Sequence, residues 1–308
     1  MLFAINPLII TLLSYLGISS FGLKNYKKQF DAINYGTKVN VNGYDMSVSI
    51  AGKQHNQTIV FLPGLGIPSP VIQYKTITEP LSQDFKVITI EPFGYGISDI
   101  TKRKRTTKNI VSEIHTCLKK LGVNKYYLMA HSLGGIYSVA YANKYPKEVS
   151  GFIGLENTPS NHEFESLTSD DKLEMKLGRV IAKHHLWRFT PEEEKQQFMY
   201  LDPNFNYTEE DKKNYDIIFG YSFSNENIID ENDNLKKNVE SVKDLTFKCP
   251  SLMFVASINC ENVPGWKPGH EAMVGDPDNS EVIELEGSHM IYMDQKQSIL
   301  DKVKEWIK

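Results

Sequence analysis

The sequence predicts an α/β fold with a mainly parallel sheet covered by helices on both faces. Three observations carry that expectation. Short apolar runs recur along the chain, segments with helical spacing separate several of them, and a charged strand-free stretch interrupts the rhythm before it resumes.

The elements can be justified in order. YDMSVSIA at 44–51 alternates apolar and polar residues, as a half-buried strand does. Compact apolar runs follow: TIVFL at 58–62, KVITIE at 86–91, YYLMA at 126–130, SGFIGLE at 150–156, SLMFVA at 251–256 and EVIELE at 281–286. Such runs suit strands buried on both sides. Between them, residues 107–121 put Ile110, Ile114, Cys117, Leu118 and Leu121 on one helical face. A second helix is expected at 133–145, stopped by Pro146. The last, at 294–307, opens on an Asp294/Gln297 capping pattern and buries Ile299, Leu300, Val303 and Trp306.

Residues 160–247 lack a convincing strand and are rich in Glu, Asp, Lys and Asn. Thr190-Pro191-Glu192 and Thr208-Glu209-Glu210 read as helix starts, so the stretch is expected to be a helical insertion between core strands. The expected organisation is a front segment at 1–30, a core at 31–159 and 248–308, and the insertion at 160–247.

Composition excludes several classes. With 34 basic against 38 acidic residues and a formal charge of −4, a nucleic-acid binder is not expected. Lys102-Arg103-Lys104-Arg105 is too short a basic run to change that and is expected to be a solvated loop. Cys117, Cys249 and Cys260 cannot all pair and lack metal-ligand spacing. His115, His162 and His184-His185 have no second ligand at metal spacing, so no metal and no organic cofactor are expected. Residues 1–23 carry no charged side chain, and Lys24, Lys27 and Lys28 follow. That length could span a bilayer, which predicts a single-pass N-terminal anchor in the cell membrane, with a cytoplasmic protein as the alternative.

Chemistry is concentrated in LMAHSLGG at 128–135. An apolar strand runs into Ala130-His131-Ser132-Leu133-Gly134 and then into a helix, approximating G-x-S-x-G with Ala130 in place of the first glycine. Small residues flank such a serine because it sits on a strained strand-to-helix turn. A base is available in Gly287-Ser288-His289, after the last expected strand. The base needs a carboxylate to fix its tautomer, and two compete: Glu156 at the end of its strand, and Glu261 after strand 251–256.

With these residues in view, the chain resembles an α/β-hydrolase fold protein over roughly residues 40–308, with a helical cap inserted after Glu156. In that family the acid commonly stands near Asn259, which cannot carry the charge; some members place it one core strand earlier, as Glu156 does. The resemblance therefore implies Ser132 as nucleophile, His289 as base and Glu156 as acid, with Glu261 as the alternative. It also implies an oxyanion hole from the main-chain N–H groups of Leu65, in Leu62-Pro63-Gly64-Leu65-Gly66, and Leu133. The glycine-rich EPFGYGISD turn at 91–99 matches a structural turn of the family. Haloalkane dehalogenases and epoxide hydrolases of the family use aspartate at the elbow, whereas a serine implies acyl transfer.

His131 and His270 are possible substrate contacts, although His131, flanking the serine, is expected rather to pack beside the turn; the aromatic residues of the insertion are expected first to form its core and second to line an apolar acyl pocket. The leading expectation is hydrolysis of a small-molecule or lipid-derived carboxylic ester. Peptidase or thioesterase activity with the same triad comes next, and a non-catalytic hydrolase-like binding protein is the rival from another class.

Overall fold

TIVFL, buried at every position, shows how the apolar runs build the centre of the molecule. Ile59 and Phe61 pack on one side of the sheet with Leu252, Phe254, Ile299 and Val303. Val60 and Leu62 pack on the other with Ile110, Ile114, Leu118 and Ile136. Alternation along one strand thus feeds two cores, each fully buried side chain contributing roughly 1.5–3 kcal/mol.

The computed structural model describes residues 27–162, 200–222 and 225–307. Eight strands form one sheet: β1 (Thr37–Val41), β2 (Tyr44–Ala51), β3 (Thr58–Leu62), β4 (Lys86–Glu91), β5 (Tyr126–His131), β6 (Val149–Leu155), β7 (Ser251–Ala256) and β8 (Glu281–Leu285). Their order is β1-β2-β4-β3-β5-β6-β7-β8. The first two pairings, β1 with β2 and β2 with β4, are antiparallel, and the rest are parallel. The parallel strands therefore end together, and the loops after β3, β5, β6, β7 and β8 share one edge. β1 was not expected. It is joined to β2 by Asn42-Gly43, both with positive φ, a turn that suits a tight hairpin.

Helix Thr107–Lys120 starts at an N-cap, Thr106, and buries Ile110, Ile114, Cys117 and Leu118. The helix after β5 runs Gly134–Lys144. The C-terminal helix begins later than its capping pattern implies. It spans Lys296–Trp306, preceded by a turn at Ile291–Asp294. Asp294 caps the base loop instead, accepting from both the N–H and the hydroxyl of Ser288 at 2.7 Å.

Between β6 and β7 the described residues hold helices Glu209–Ser222, Glu226–Asp233 and Leu235–Glu240. Thr208 and Asp211 cap the first by exchanging side-chain to main-chain hydrogen bonds, as the sequence suggests. Tyr215, Ile218 and Phe219 of this helix pack with Ile33, Ile72 and Ile97. The expected start at Thr190-Pro191-Glu192, and His184, His185, Trp187, Phe189 and Phe198, lie outside the described residues.

The membrane anchor requires correction. No helix among the described residues is long and apolar enough to cross a membrane. The helices Thr107–Lys120 and Glu209–Ser222 have 14 residues each, against about 20 for a span. Residues 1–23 lie outside the described part. The single-pass placement and the lipid contact inferred from it therefore have no support.

The basic run is the solvated loop expected only in part: Lys102 and Lys104 are exposed, but Arg105 is not. Arg105 is fully buried and bonded to Glu113 at 2.7 Å, Arg103 lies 3.4 Å from the same carboxylate, and Lys104 pairs with Asp230.

Candidate active site

β5 delivers the elbow. Ser132 follows its last residue with φ of 51°, a left-handed conformation that costs a non-glycine residue about 1–2 kcal/mol. The turn is forced by crowding. A Cβ on Gly134 would lie 2.8 Å from the carbonyl oxygens of Leu62 and Pro63 and 3.2 Å from the Cβ of Ala130. The methyl group of Ala130 is accommodated because Gly134 has none. Gly64 closes over the serine, with its would-be Cβ only 2.9 Å from Ser132 Cβ.

The loop after β8 brings His289 to this turn, its Nε2 3.0 Å from Ser132 Oγ. Burial lowers the His289 pKa, which favours a neutral ring able to take a proton.

Glu156, just past β6, also has φ of 51° and is fully buried. Its carboxylate leans across to the end of β7, accepting from the Ala256 N–H and, at 2.6 Å, from the Asn259 side-chain amide. Burial raises its pKa to about 7 despite those two donors. No hydrogen bond joins Glu156 to His289 among the described residues, but their supports meet: Gly287 of the base loop donates to Ser257 Oγ beside Ala256 at 3.4 Å. Asn259 is thus a donor to the buried Glu156 carboxylate. Glu261 is exposed on helix Ser257–Asn262.

The turn after β3 is held from both ends. The Gly64 N–H donates to Tyr74 Oη and the Gly66 N–H to Tyr95 Oη, each at 3.3 Å. Leu65 between them, and Leu133 after the serine, make no main-chain N–H bond among the described residues. They remain available to an oxyanion.

The two histidines named as possible substrate contacts are both buried. His131 is buried, with Nδ1 2.9 Å from Tyr74 Oη and Nε2 2.9 Å from the His289 carbonyl oxygen. Because a carbonyl can only accept, Nε2 carries the proton, and Nδ1 accepts from Tyr74. Burial, then the nearby His289 charge, pushes the His131 pKa down to about 3. His270 is likewise buried, facing the carbonyls of Trp266 at 2.8 Å and Asn157 at 2.5 Å. His131 thus packs beside the turn, both of its nitrogens engaged within the protein.

Sequence reasoning passes over Tyr74, Tyr95, Tyr137 and Glu231. Glu231 accepts from Tyr95, which supports the turn after β3, and from Tyr137. Each lies far in sequence from its partner, so no local motif marks it. Among the described residues no cluster of three or more His, Cys, Asp or Glu side chains could hold a metal ion. The arrangement is a hydroxyl beside a neutral imidazole, with unengaged N–H groups on the adjoining turns, and such a hydroxyl can add to a polarised carbonyl.

Comparison with known proteins agrees with this fold. An uncharacterized protein of Bacillus subtilis (strain 168), YbdG, is 26% identical over 281 residues, covering 86% of this chain and 83% of that protein. The 2-(acetamidomethylene)succinate hydrolase of Mesorhizobium japonicum is 26% identical over 114 residues, covering 37% of this chain and 40% of its own length. Among solved structures, Cfl2 from Burkholderia cenocepacia superposes with a TM-score of 0.66 at 16% identity, covering 88% of this chain and 95% of that one. The enol-lactonase of Burkholderia xenovorans LB400 gives 0.62 at 14%, covering 88% and 99%. Likenesses at such identities speak to the fold alone. The sequence model of the alpha/beta hydrolase fold matches residues 57–214, from β3 past the elbow into the insertion, and this chain belongs to that family.

Proposed function

We propose that this chain is a serine hydrolase that cleaves a small-molecule carboxylic ester through an acyl-enzyme on Ser132. The observation that supports this most is the 3.0 Å approach of Ser132 Oγ to His289 Nε2 on a left-handed elbow. Serine rather than aspartate at that turn favours acyl transfer over epoxide opening.

In the proposed reaction His289 Nε2 takes the Ser132 proton as Oγ bonds to the carbonyl carbon. The oxyanion that forms is held by the N–H groups of Leu65 and Leu133, each such donor supplying about 2.7–4 kcal/mol. Collapse breaks the ester C–O bond, and the leaving alkoxide takes the proton from His289. Water then repeats the sequence on the acyl-enzyme, releasing the acid and restoring Ser132. Glu156, ionised, stabilises the imidazolium from the β7 end, and Asn259 holds Glu156. The inserted segment, whose described helices are Glu209–Ser222, Glu226–Asp233 and Leu235–Glu240, is read as the part that chooses the acyl group.

A fluorophosphonate probe tests the nucleophile. Wild-type protein should be labelled, and Ser132→Ala should not be. Labelling that persists in Ser132→Ala removes Ser132 from the mechanism. A panel of nitrophenyl esters, thioesters and anilides of graded acyl length then ranks the leaving groups, and esters should turn over fastest. No turnover of any of them, with no labelling, would leave a ligand-binding role.

A further inference from the structure

The two main-chain donors of the oxyanion hole sit on separate pieces of chain, the turn after β3 and the elbow helix. One buried carboxylate from the inserted segment reaches both. Glu231 Oε2 accepts from Tyr95 Oη at 3.0 Å, and Tyr95 Oη accepts in turn from the Gly66 N–H at 3.3 Å, next to Leu65. Glu231 Oε1 accepts from Tyr137 Oη at 2.7 Å, and Tyr137 stands on helix Gly134–Lys144, which Leu133 precedes.

We propose that Glu231 is a positioning residue that fixes the separation of the Leu65 and Leu133 donors, by gripping the Gly66 turn through Tyr95 and the elbow helix through Tyr137. The proposal rests on the reading of those two N–H groups as the oxyanion hole.

The chemistry is directional. A carboxylate only accepts, so both tyrosines must donate to it, which leaves the Tyr95 oxygen facing the Gly66 N–H. An amide in place of the carboxylate accepts at one oxygen only and must meet the other tyrosine with its NH2, reversing that hydrogen bond. The helix that carries Glu231 is itself anchored. Asn227 exchanges hydrogen bonds with the main chain of Thr101, Asn225 donates to the Gly94 carbonyl, and Asp230 accepts from the Arg105 N–H. Ile228 rests above Gly66, its Cγ2 4.0 Å from where a Cβ would be. Burial raises the pKa of Glu231, and the charge of Arg105, itself fully buried, works against that rise. A charge buried at this expense, where an apolar side chain would fill the space, argues for precision in what it holds.

The test combines amide hydrogen exchange over residues 62–67 with steady-state kinetics, using Tyr95→Phe, Glu231→Gln and their double variant. Lys104→Ala, which removes a surface ion pair from the same helix, is the control. Each single variant should exchange faster in the turn, and kcat should fall about tenfold with KM within about twofold, while Ser132 still reacts with the probe. The double variant should be no worse than Glu231→Gln alone. Turn exchange like wild type, or a kcat loss no larger than that of Lys104→Ala, overturns the proposal. If Glu231→Gln fails to fold, Tyr95→Phe decides. If wild-type protein resists the probe, the acyl-transfer reading falls, and turn exchange alone settles whether Glu231 grips the turn.

Discussion

His131, the residue before the elbow serine, donates from Nε2 to the main-chain carbonyl of His289 at 2.9 Å. Its other nitrogen accepts from Tyr74, whose oxygen accepts from the Gly64 N–H. One buried ring thus ties the oxyanion turn to the base loop, and the chain of donors works only while the ring is neutral. His131→Leu should lower kcat about tenfold while leaving Ser132 labelled, and should reduce stability by about 1–3 kcal/mol through the two polar groups it orphans. Acid titration supplies a second readout. The folded pKa of His131 is about 3 against 6.5 unfolded. Between those values the unfolded chain binds more protons, so wild-type stability falls as pH drops below 6.5. His131→Leu should lack that part of the slope in urea titrations at pH 4.5 and 6.5.

Glu156 has the opposite sign. Its folded pKa of about 7 lies above the 4.5 of an ordinary glutamate, so the folded protein holds the extra proton between those values. Stability from this group is present below pH 4.5 and is lost as pH rises through 7, a change on the order of 3 kcal/mol. Glu156→Gln should therefore be at least as stable as wild type at pH 8 in thermal melts. Its kcat should nevertheless fall by at least about 100-fold, because the imidazolium loses its counter-charge. Glu261→Gln should stay within about twofold of wild type. Loss of turnover in Glu261→Gln alone would sink the assignment of Glu156.

What was legible in the sequence is local, and what was not is long-range. Seven strands, the elbow and the base loop announce themselves through contiguous runs and short motifs, because strand burial and a tight turn constrain neighbouring residues. The hairpin strand Thr37–Val41 also has a local signal, Asn42-Gly43, which demands positive φ at both turn positions. Asp294 looked like a helix cap, but the Ser288 N–H and hydroxyl compete for the same carboxylate and win. Asn259 looked like a missing acid and is a donor to the buried Glu156 carboxylate. Tyr74, Tyr95 and Glu231 carry no signature, since a hydroxyl's partner 57 or 136 positions away is decided by the sheet order.

Arg105 distinguishes a structural cation from a binding patch. It is fully buried with one charge-assisted bond to Glu113, while Lys104 beside it is exposed. Arg105→Ala leaves Glu113 buried and uncompensated by its closest partner, which should cost about 3–5 kcal/mol in urea unfolding. Lys104→Ala should leave the unfolding midpoint nearly unchanged. Equal effects of the two substitutions would mean that burial does not set the role of this run.

Gly64 offers the sharpest separation of catalysis from stability. Its backbone is not among those with positive φ, so alanine is conformationally acceptable there. The added methyl, however, would sit 2.9 Å from Ser132 Cβ and 3.0 Å from His131 Nδ1, with Ser132 Oγ at 3.5 Å. Serine and histidine would have to give way at the point where Oγ must reach a carbonyl carbon. Gly122 is the converse case, with φ of 71° and open space around it. Gly122→Ala should lose about 1–2 kcal/mol of stability and react with a fluorophosphonate at the wild-type rate. Gly64→Ala should keep a cooperative thermal transition and lose at least about 100-fold in labelling rate, since a displacement of about 1 Å at a reacting atom has that effect. Undiminished labelling of Gly64→Ala would show that the elbow is not confined by the turn after β3.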